Sequence, residues 1–330
     1  MKQHKIWMIV LAVFAGAVAL ILGLSFWNVR SERRTWSLVY IPKTLDGTND
    51  FWTSLIAGVK MAGKEYSASV EIMGPDREQD VERQNELLAQ AIEMDPDALM
   101  ISPSSFTESE ELLKEARSRG IPVVYIDSYT KDELQDLTVA TDNLEAGRKL
   151  GQYASGLLDA GSKIAVVCHV KGVSTALERE QGFREGLGEK AKNIVEVVYC
   201  DSMYEKSYRL TNELLEKYPD LELIAGLNEY SSVGAARAIR DAGLEGRVKV
   251  VGIDSSLEAV ELMEQGVFQC LVLQKAFKMG YLGVKETVKM LRGETVEKNI
   301  DSGSELVTPE NMYISENEKL LFPFGNNSWE

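Results

Sequence analysis

Histidine and cysteine are scarce in this chain: 2 His and 3 Cys in 330 residues. His4 and His169 are too few for a histidine-ligated metal site and give poor support to a Ser-His-Asp triad. Cys168, Cys200 and Cys270 form no C-x-x-C pair, and each lies in an apolar, strand-like run. They read as buried, inert thiols, and whether Cys168 and Cys200 pair is not decided by the sequence. A G-x-x-x-x-G-K-[ST] loop is also missing, so phosphoryl transfer from a strand-end Asp would lack its phosphate cradle. Basic excess is absent too. The net charge of -15 disfavours nucleic acid as a partner, because polyphosphate repels it. No residue pattern implies a cofactor or a metal.

The few uncompensated positive charges gather at one end. Lys2, Lys5, Arg30, Arg33 and Arg34 against Glu32 leave +4 in the first 34 residues and -19 in the remainder. Between them, residues 6–27 read IWMIVLAVFAGAVALILGLSFW, an uncharged run long enough to cross a ~30 Å hydrocarbon core as a helix. Two readings compete. Cleavage after Ala17-Val18-Ala19 would release the rest as a secreted chain. The preferred reading is a retained single-pass anchor, since the run continues past Ala19 and Trp7 and Trp27 bracket it as interfacial residues do. Residues 1–5 would be a cytoplasmic tail and 28–35 a linker.

From residue 36 onward, short apolar runs alternate with amphipathic ones. TWSLVYIP (35–42), SVEIMGP (69–75), DALMISP (97–103) and VVYID (123–127) read as strands. KIAVVCHV (163–170), IVEVVYC (194–200), LELIAGLN (221–228) and VKVVGID (248–254) continue the pattern. Helical spacing fills the intervals, as in FWTSLIAGVKMAGKEY and DVERQNELLAQAIEM. Near-continuous apolar strands between helices indicate parallel sheets covered on both faces. The halves share wording. NELLAQAIEMDPDALMI resembles NELLEKYPDLELIAG, and VVYIDS (123–128) is echoed by VVGIDS (250–255) 127 residues later. One α/β unit used twice is expected.

In open parallel sheets ligands bind beyond the carboxyl ends of the strands, so the polar residues there are the candidates. They are Asn49, Phe51 and Trp52 after the first strand, Asp127 and Ser128 after the fourth, and Arg179 beyond the strand at 163–170. Tyr204, Asn228, Asp254 and Gln274 follow later strands. The set holds acceptors, amides, one guanidinium and flat rings, with no nucleophile-base pair. That suits a carbohydrate: its hydroxyls both donate and accept, and its C–H face packs on aromatic rings. Structural alternatives stand beside this reading. Asp127 or Asp254 could cap the next helix. Trp52 could be core, and Arg179, within an E-R-E run, could belong to a solvated face.

From about residue 36 to 316 the chain resembles the type I periplasmic sugar-binding proteins of the ribose-binding group. The stretches that carry the resemblance are TNDFWTSLIAGVK, IPVVYIDS, VATDNLEAG, STALEREQGFREGL, LNEYSSVGAARAI, VKVVGIDSS and GVFQCLVLQ, in that order. It implies an α/β fold of two doubly wound parallel-sheet lobes joined by three crossovers. The lobes would be 36–141 with 275–302, and 142–274 with 303–320, leaving 321–330 as a tail. Hinges would fall near Thr141-Asp142, Gln274-Lys275 and Ser302-Gly303-Ser304. The resemblance implies Asn49, Phe51, Trp52 and Asp127 in one wall of the pocket. Arg179, Tyr204, Asn228 and Asp254 would form the other, with Gln274 near a crossover. Ser128 stands where ribose binders carry an Arg. The loop KTLDGTND is also longer than theirs, so Asn49 and Asp50 could exchange roles.

The implied function is a non-enzymatic, extracytoplasmic receptor for a monosaccharide or related polyol, closing on its ligand and serving an ABC-type sugar permease. The alternative is a ligand-sensing co-receptor for a membrane sensor histidine kinase. A sugar-responsive repressor would need an N-terminal helix-turn-helix where the apolar run stands.

Overall fold

The structure, a computed structural model, describes residues 35–322 together with Gly16 and Val18. Apart from those two residues, the expected membrane span at 6–27 lies outside the described residues, as do residues 1–5 and 323–330. Among the described residues, no helix is long and apolar enough to cross a membrane.

The chain begins as β1 (Trp36–Ile41), α1 (Asp50–Glu65), β2 (Ala68–Ile72), α2 (Val81–Glu93), β3 (Ala98–Ile101), α3 (Glu110–Ser118), β4 (Val123–Ile126) and β5 (Leu137–Ala140). It continues as α4 (Asn143–Gly156), β6 (Lys163–Cys168), α5 (Ser174–Leu187), β7 (Ile194–Tyr199), α6 (Tyr204–Lys217), β8 (Leu221–Gly226), α7 (Glu229–Asp241), β9 (Lys249–Ile253), α8 (Leu257–Glu264) and β10 (Phe268–Gln274). Then come α9 (Ala276–Leu291), β11 (Asn299–Asp301), β12 (Ser304–Val307) and α10 (Ser315–Leu321).

The strands form two six-stranded sheets, ordered β2-β1-β3-β4-β5-β11 and β7-β6-β8-β9-β10-β12. The two orders correspond strand for strand. All neighbours are parallel except β12, which runs antiparallel to β10. The chain passes between the sheets after β5, after β10, and between β11 and β12. Each sheet separates two apolar cores, as the two-residue period of a strand requires. In β1, Leu38 and Tyr40 pack with α1 and α9, whereas Val39 and Ile41 pack with Leu88 and Ile92 of α2. Beneath the second sheet, Cys168 and Cys270 are buried core residues; Cys200 is also buried, and all three thiols are free.

Both echoed segments occupy equivalent places. VVYIDS ends β4 and VVGIDS ends β9, each the fourth strand of its sheet order, and the related NELL runs form α2 and α6. The equivalence extends to the backbone: Asp127 has φ 69° and Asp254 φ 72°. Both lie in the left-handed region, which Asp tolerates better than most side chains.

The helices that leave the first two crossovers are seated by backbone contact. A Cβ placed on Gly182 of α5 would lie 2.0 Å from the Leu144 carbonyl of α4. One on Gly280 of α9 would lie 2.0 Å from the Leu55 carbonyl of α1. Side chains are excluded from both seams, so α4 is fixed against α5 and α9 against α1.

Candidate functional site

The carboxyl ends of the two sheets face each other across a narrow cavity lined by both lobes. One wall comes from the first lobe. Pro42 stops β1 and the chain turns through a loop to Asn49, whose side chain accepts the Trp52 N–H and starts α1. Phe51 and Trp52 follow in the first turn with their rings edge to face, centroids 5.1 Å apart. Asp127, at the end of β4, completes this wall with Lys43 and Glu78. The facing wall holds His169 after β6, Thr175 and Arg179 on α5, Asn228 and Tyr230 at the start of α7, and Asp254 after β9. Gln274, last residue of β10, lies where the chain crosses back.

Charges dominate the lining. Lys43 Nζ meets Asp127 Oδ2 at 2.7 Å, with both side chains almost fully buried, and lies 5.8 Å from the centre of the Trp52 ring. Glu78 accepts the Trp52 indole N–H at 2.5 Å and the Ser202 hydroxyl from the other lobe. Burial pushes its carboxyl above the ordinary range, with nearby Lys43 opposing. Arg179 donates to Asn143 Oδ1 at 2.8 Å and to the Leu227 carbonyl at 2.9 Å, and stands 3.9 Å from Asp254. Asp254 accepts from Gln274 at 2.6 Å and from the Glu229 N–H at 3.2 Å. Its carboxyl too is raised by burial, against the pull of Arg179. His169 Nε2 bonds the Thr175 hydroxyl at 2.8 Å. Burial, then Arg179 and Lys43, hold the imidazole well below its usual pKa, so the ring is neutral.

Two polar atoms on this lining have no hydrogen-bond partner among the described residues: His169 Nδ1 and Gln274 Oε1. A buried polar atom left unpaired costs about 1–3 kcal/mol. Gln274 Oε1 can take a donor from a ligand, and His169 Nδ1 can donate or accept according to its tautomer.

Asn49, Phe51, Trp52, Asp127, Arg179, Asn228, Asp254 and Gln274 are brought to the cavity together. Asp50 is not exchanged with Asn49; it turns toward the Leu257 N–H. Neither strand-end Asp caps the helix that follows it in sequence. That role at α8 falls to Ser256, which accepts the Ala259 N–H. Arg179 is buried rather than solvated, and Trp52 is at once core and cavity wall.

Ser128 and Tyr204 do not line the cavity. The Ser128 hydroxyl turns away to the Pro103 carbonyl at 2.9 Å and ties down the loop after β3. Tyr204 opens α6 but aims its hydroxyl at Glu229, 2.5 Å away, with its ring 4.7 Å from Tyr230 and beneath the Arg237 guanidinium. Lys43, Glu78, His169, Thr175 and Tyr230 join the lining without having been singled out as candidates.

Residues 39–295 match the periplasmic binding protein domain family. The chain is 28% identical over 272 residues to the D-ribose/D-allose-binding protein of Pseudomonas aeruginosa, covering 79% of this chain and 85% of that one. Among solved structures it is similar to a sugar transporter from Clostridium phytofermentans, with 44% identity, TM-score 0.79, and 83% and 99% of the two chains covered. It is also similar to a carbohydrate transporter solute binding protein from Agrobacterium radiobacter in complex with D-arabinose: 27% identity, TM-score 0.83, covering 88% and 99%. The sensor-kinase alternative gains no support from these names. On the profile match, the two corresponding lobes and these relatives, the chain belongs to the periplasmic binding protein domain family, of the type I sugar-binding kind.

Proposed function

We propose that this protein is an extracytoplasmic, non-enzymatic receptor that closes on a monosaccharide or related polyol and presents it to an ABC-type sugar transporter. The observation that carries the reading is the lining itself. Trp52 and Phe51 offer apolar ring faces, three carboxylates and three amides offer hydrogen bonds, and His169 Nδ1 and Gln274 Oε1 lack partners. A sugar hydroxyl, which both donates and accepts, suits such a mixed set. Because both lobes contribute, a ligand held in the cavity favours closure: the open form satisfies only part of its hydroxyls. The Pseudomonas and Agrobacterium relatives, named for D-ribose, D-allose and D-arabinose, support an aldose. The apolar run at 6–27 would hold the receptor at the membrane, and the relatives' transport names favour a permease as its partner.

Isothermal titration calorimetry against pentoses, hexoses and inositols tests the reading, with a micromolar or tighter hit expected. No heat from any of them would sink it. Mature N-terminal sequencing tests the anchor, which is refuted by a start near Leu20.

A further inference from the structure

Among the hydrogen bonds that cross between the lobes, those of two carboxylates end on the leading N–H groups of a helix in the opposite lobe. Glu229, 1% exposed, is the first residue of α7 in the second lobe. Its Oε2 accepts the N–H of Asp50 at 3.1 Å and of Phe51 at 3.3 Å, the first two residues of α1 in the first lobe. The reverse contact is made by Asp50, whose Oδ2 accepts the N–H of Leu257, the first residue of α8 in the second lobe, at 3.2 Å.

These N–H groups are of the kind a helix cannot satisfy internally. Asn49 takes the Trp52 N–H and Ser256 takes that of Ala259, so the side-chain caps leave the leading N–H groups to the opposite lobe. Each carboxylate also lies at the positive end of the helix it serves. The second oxygen of Glu229 accepts the Tyr204 hydroxyl, which orients the carboxylate toward α1. Neither Glu229 nor Asp50 lines the cavity. Their hydrogen bonds require the lobes to be together and require nothing of a ligand.

We propose that Glu229 and Asp50 form a reciprocal latch that holds the lobes closed without touching the ligand. The latch sets the resting balance between open and closed forms. Since apparent affinity scales with the fraction of binding-competent protein, it weights every ligand equally and leaves specificity alone. This goes beyond the receptor reading, because its first consequence is visible with no sugar present.

The experiment uses Glu229→Gln, which keeps the side-chain volume, and Asp50→Asn. Small-angle X-ray scattering on each protein without added sugar reads lobe separation. The expected result is a larger radius of gyration in both variants, with unchanged helix content by circular dichroism. Calorimetry with two or more sugars that bind the wild type should show dissociation constants raised by one common factor, up to about tenfold for Glu229→Gln, the loss expected for one buried hydrogen bond. Tyr204→Phe, which removes only the orienting hydroxyl, should open the protein in the same direction by less. Unchanged scattering in both carboxylate variants overturns the latch. So does an affinity loss that differs from sugar to sugar, which would make Glu229 a ligand contact. The scattering arm is independent of whether any sugar binds, so failure of the latch and failure of the receptor reading are separable.

Discussion

Replacing Asp127 by Asn removes one charge from a buried pair and little else. Asn tolerates the left-handed backbone at φ 69° as well as Asp does, and it fills the same space. What changes is Lys43, whose ammonium has Asp127 Oδ2 at 2.7 Å and only the Thr175 hydroxyl, at 3.5 Å, from the facing lobe. Breaking a buried ion pair from one side costs about 3–5 kcal/mol. Part of the cover over this pair belongs to the second lobe, as His169, Thr175 and Arg179 line the same cavity. When the lobes part, water reaches the pair, and an exposed pair is worth about 0–1 kcal/mol. The substitution therefore penalises the closed form by about 3 kcal/mol more than the open one, which is roughly 150-fold in ligand affinity. The open form loses about 1 kcal/mol at most, and the unliganded protein, free to open, loses little more, a fall in Tm of about 2–4 °C. Calorimetric titration and differential scanning calorimetry on the same preparation separate the two effects. An affinity within threefold of the wild type would refute the reasoning. So would a Tm loss large enough to place the whole cost on folding.

The depressed pKa of buried His169 predicts a pH dependence of known sign. A neutral imidazole that protonates on unfolding contributes stability present above the unfolded pKa of about 6.5 and lost as pH falls from there toward the folded value. The raised carboxyls of Glu78 and Asp254 act oppositely, losing stability as pH rises, so the comparison with His169→Gln isolates the histidine. Relative to that variant, the wild type should lose stability as pH falls below about 6.5 in denaturant titrations; parallel profiles would refute it. Gly182→Ala should destabilise by about 1–3 kcal/mol, since its Cβ would meet the Leu144 carbonyl at 2.0 Å. The same helix carries Arg179, so ligand affinity should fall together with Tm, and a variant as stable as the wild type would show that the seam gives way.

The sheet-and-helix alternation was legible because parallel strands buried on both faces are continuous apolar runs, as in LVYI of β1 and VVYI of β4. β5, β11 and β12 were not read out. They are four, three and four residues long, and pairing with a neighbouring strand rather than local pattern makes them strands. The site was partly legible for a related reason. Residues at clear strand ends, such as Asp127 and Asp254, were found. His169 was hidden because the apolar run KIAVVCHV extends the expected strand to 170, whereas β6 ends at Cys168 and frees the next side chain. Lys43 and Glu78 sit in polar loops with no local pattern that marks them as buried. Only the approach of Asp127 to one, and of Trp52 and Ser202 to the other, buries them. Tyr204 shows the converse: an aromatic in the right place by sequence was turned aside by Glu229.

The two echoed aspartates have the same backbone and equivalent strands, yet opposite dependencies. Asp127 pairs with Lys43 of its own lobe. Asp254 is held by Gln274 and Arg179. Through Asn143, which donates to the Thr141 carbonyl, Arg179 reaches the crossover after β5, while Gln274 ends the strand that leads into the second crossover. Asp254 is thus bonded or paired to groups at both of these crossovers, and Asp127 to neither. Gln274 is itself a residue of the second sheet, paired with Ser304 of β12, and Asn143 opens α4, so both reach Asp254 from its own side of the crossovers. The repeat holds two equivalent carboxylates; the surroundings have made one a local partner for a buried cation and linked the other, directly through Gln274 and through Arg179 and Asn143, to residues beside the crossovers.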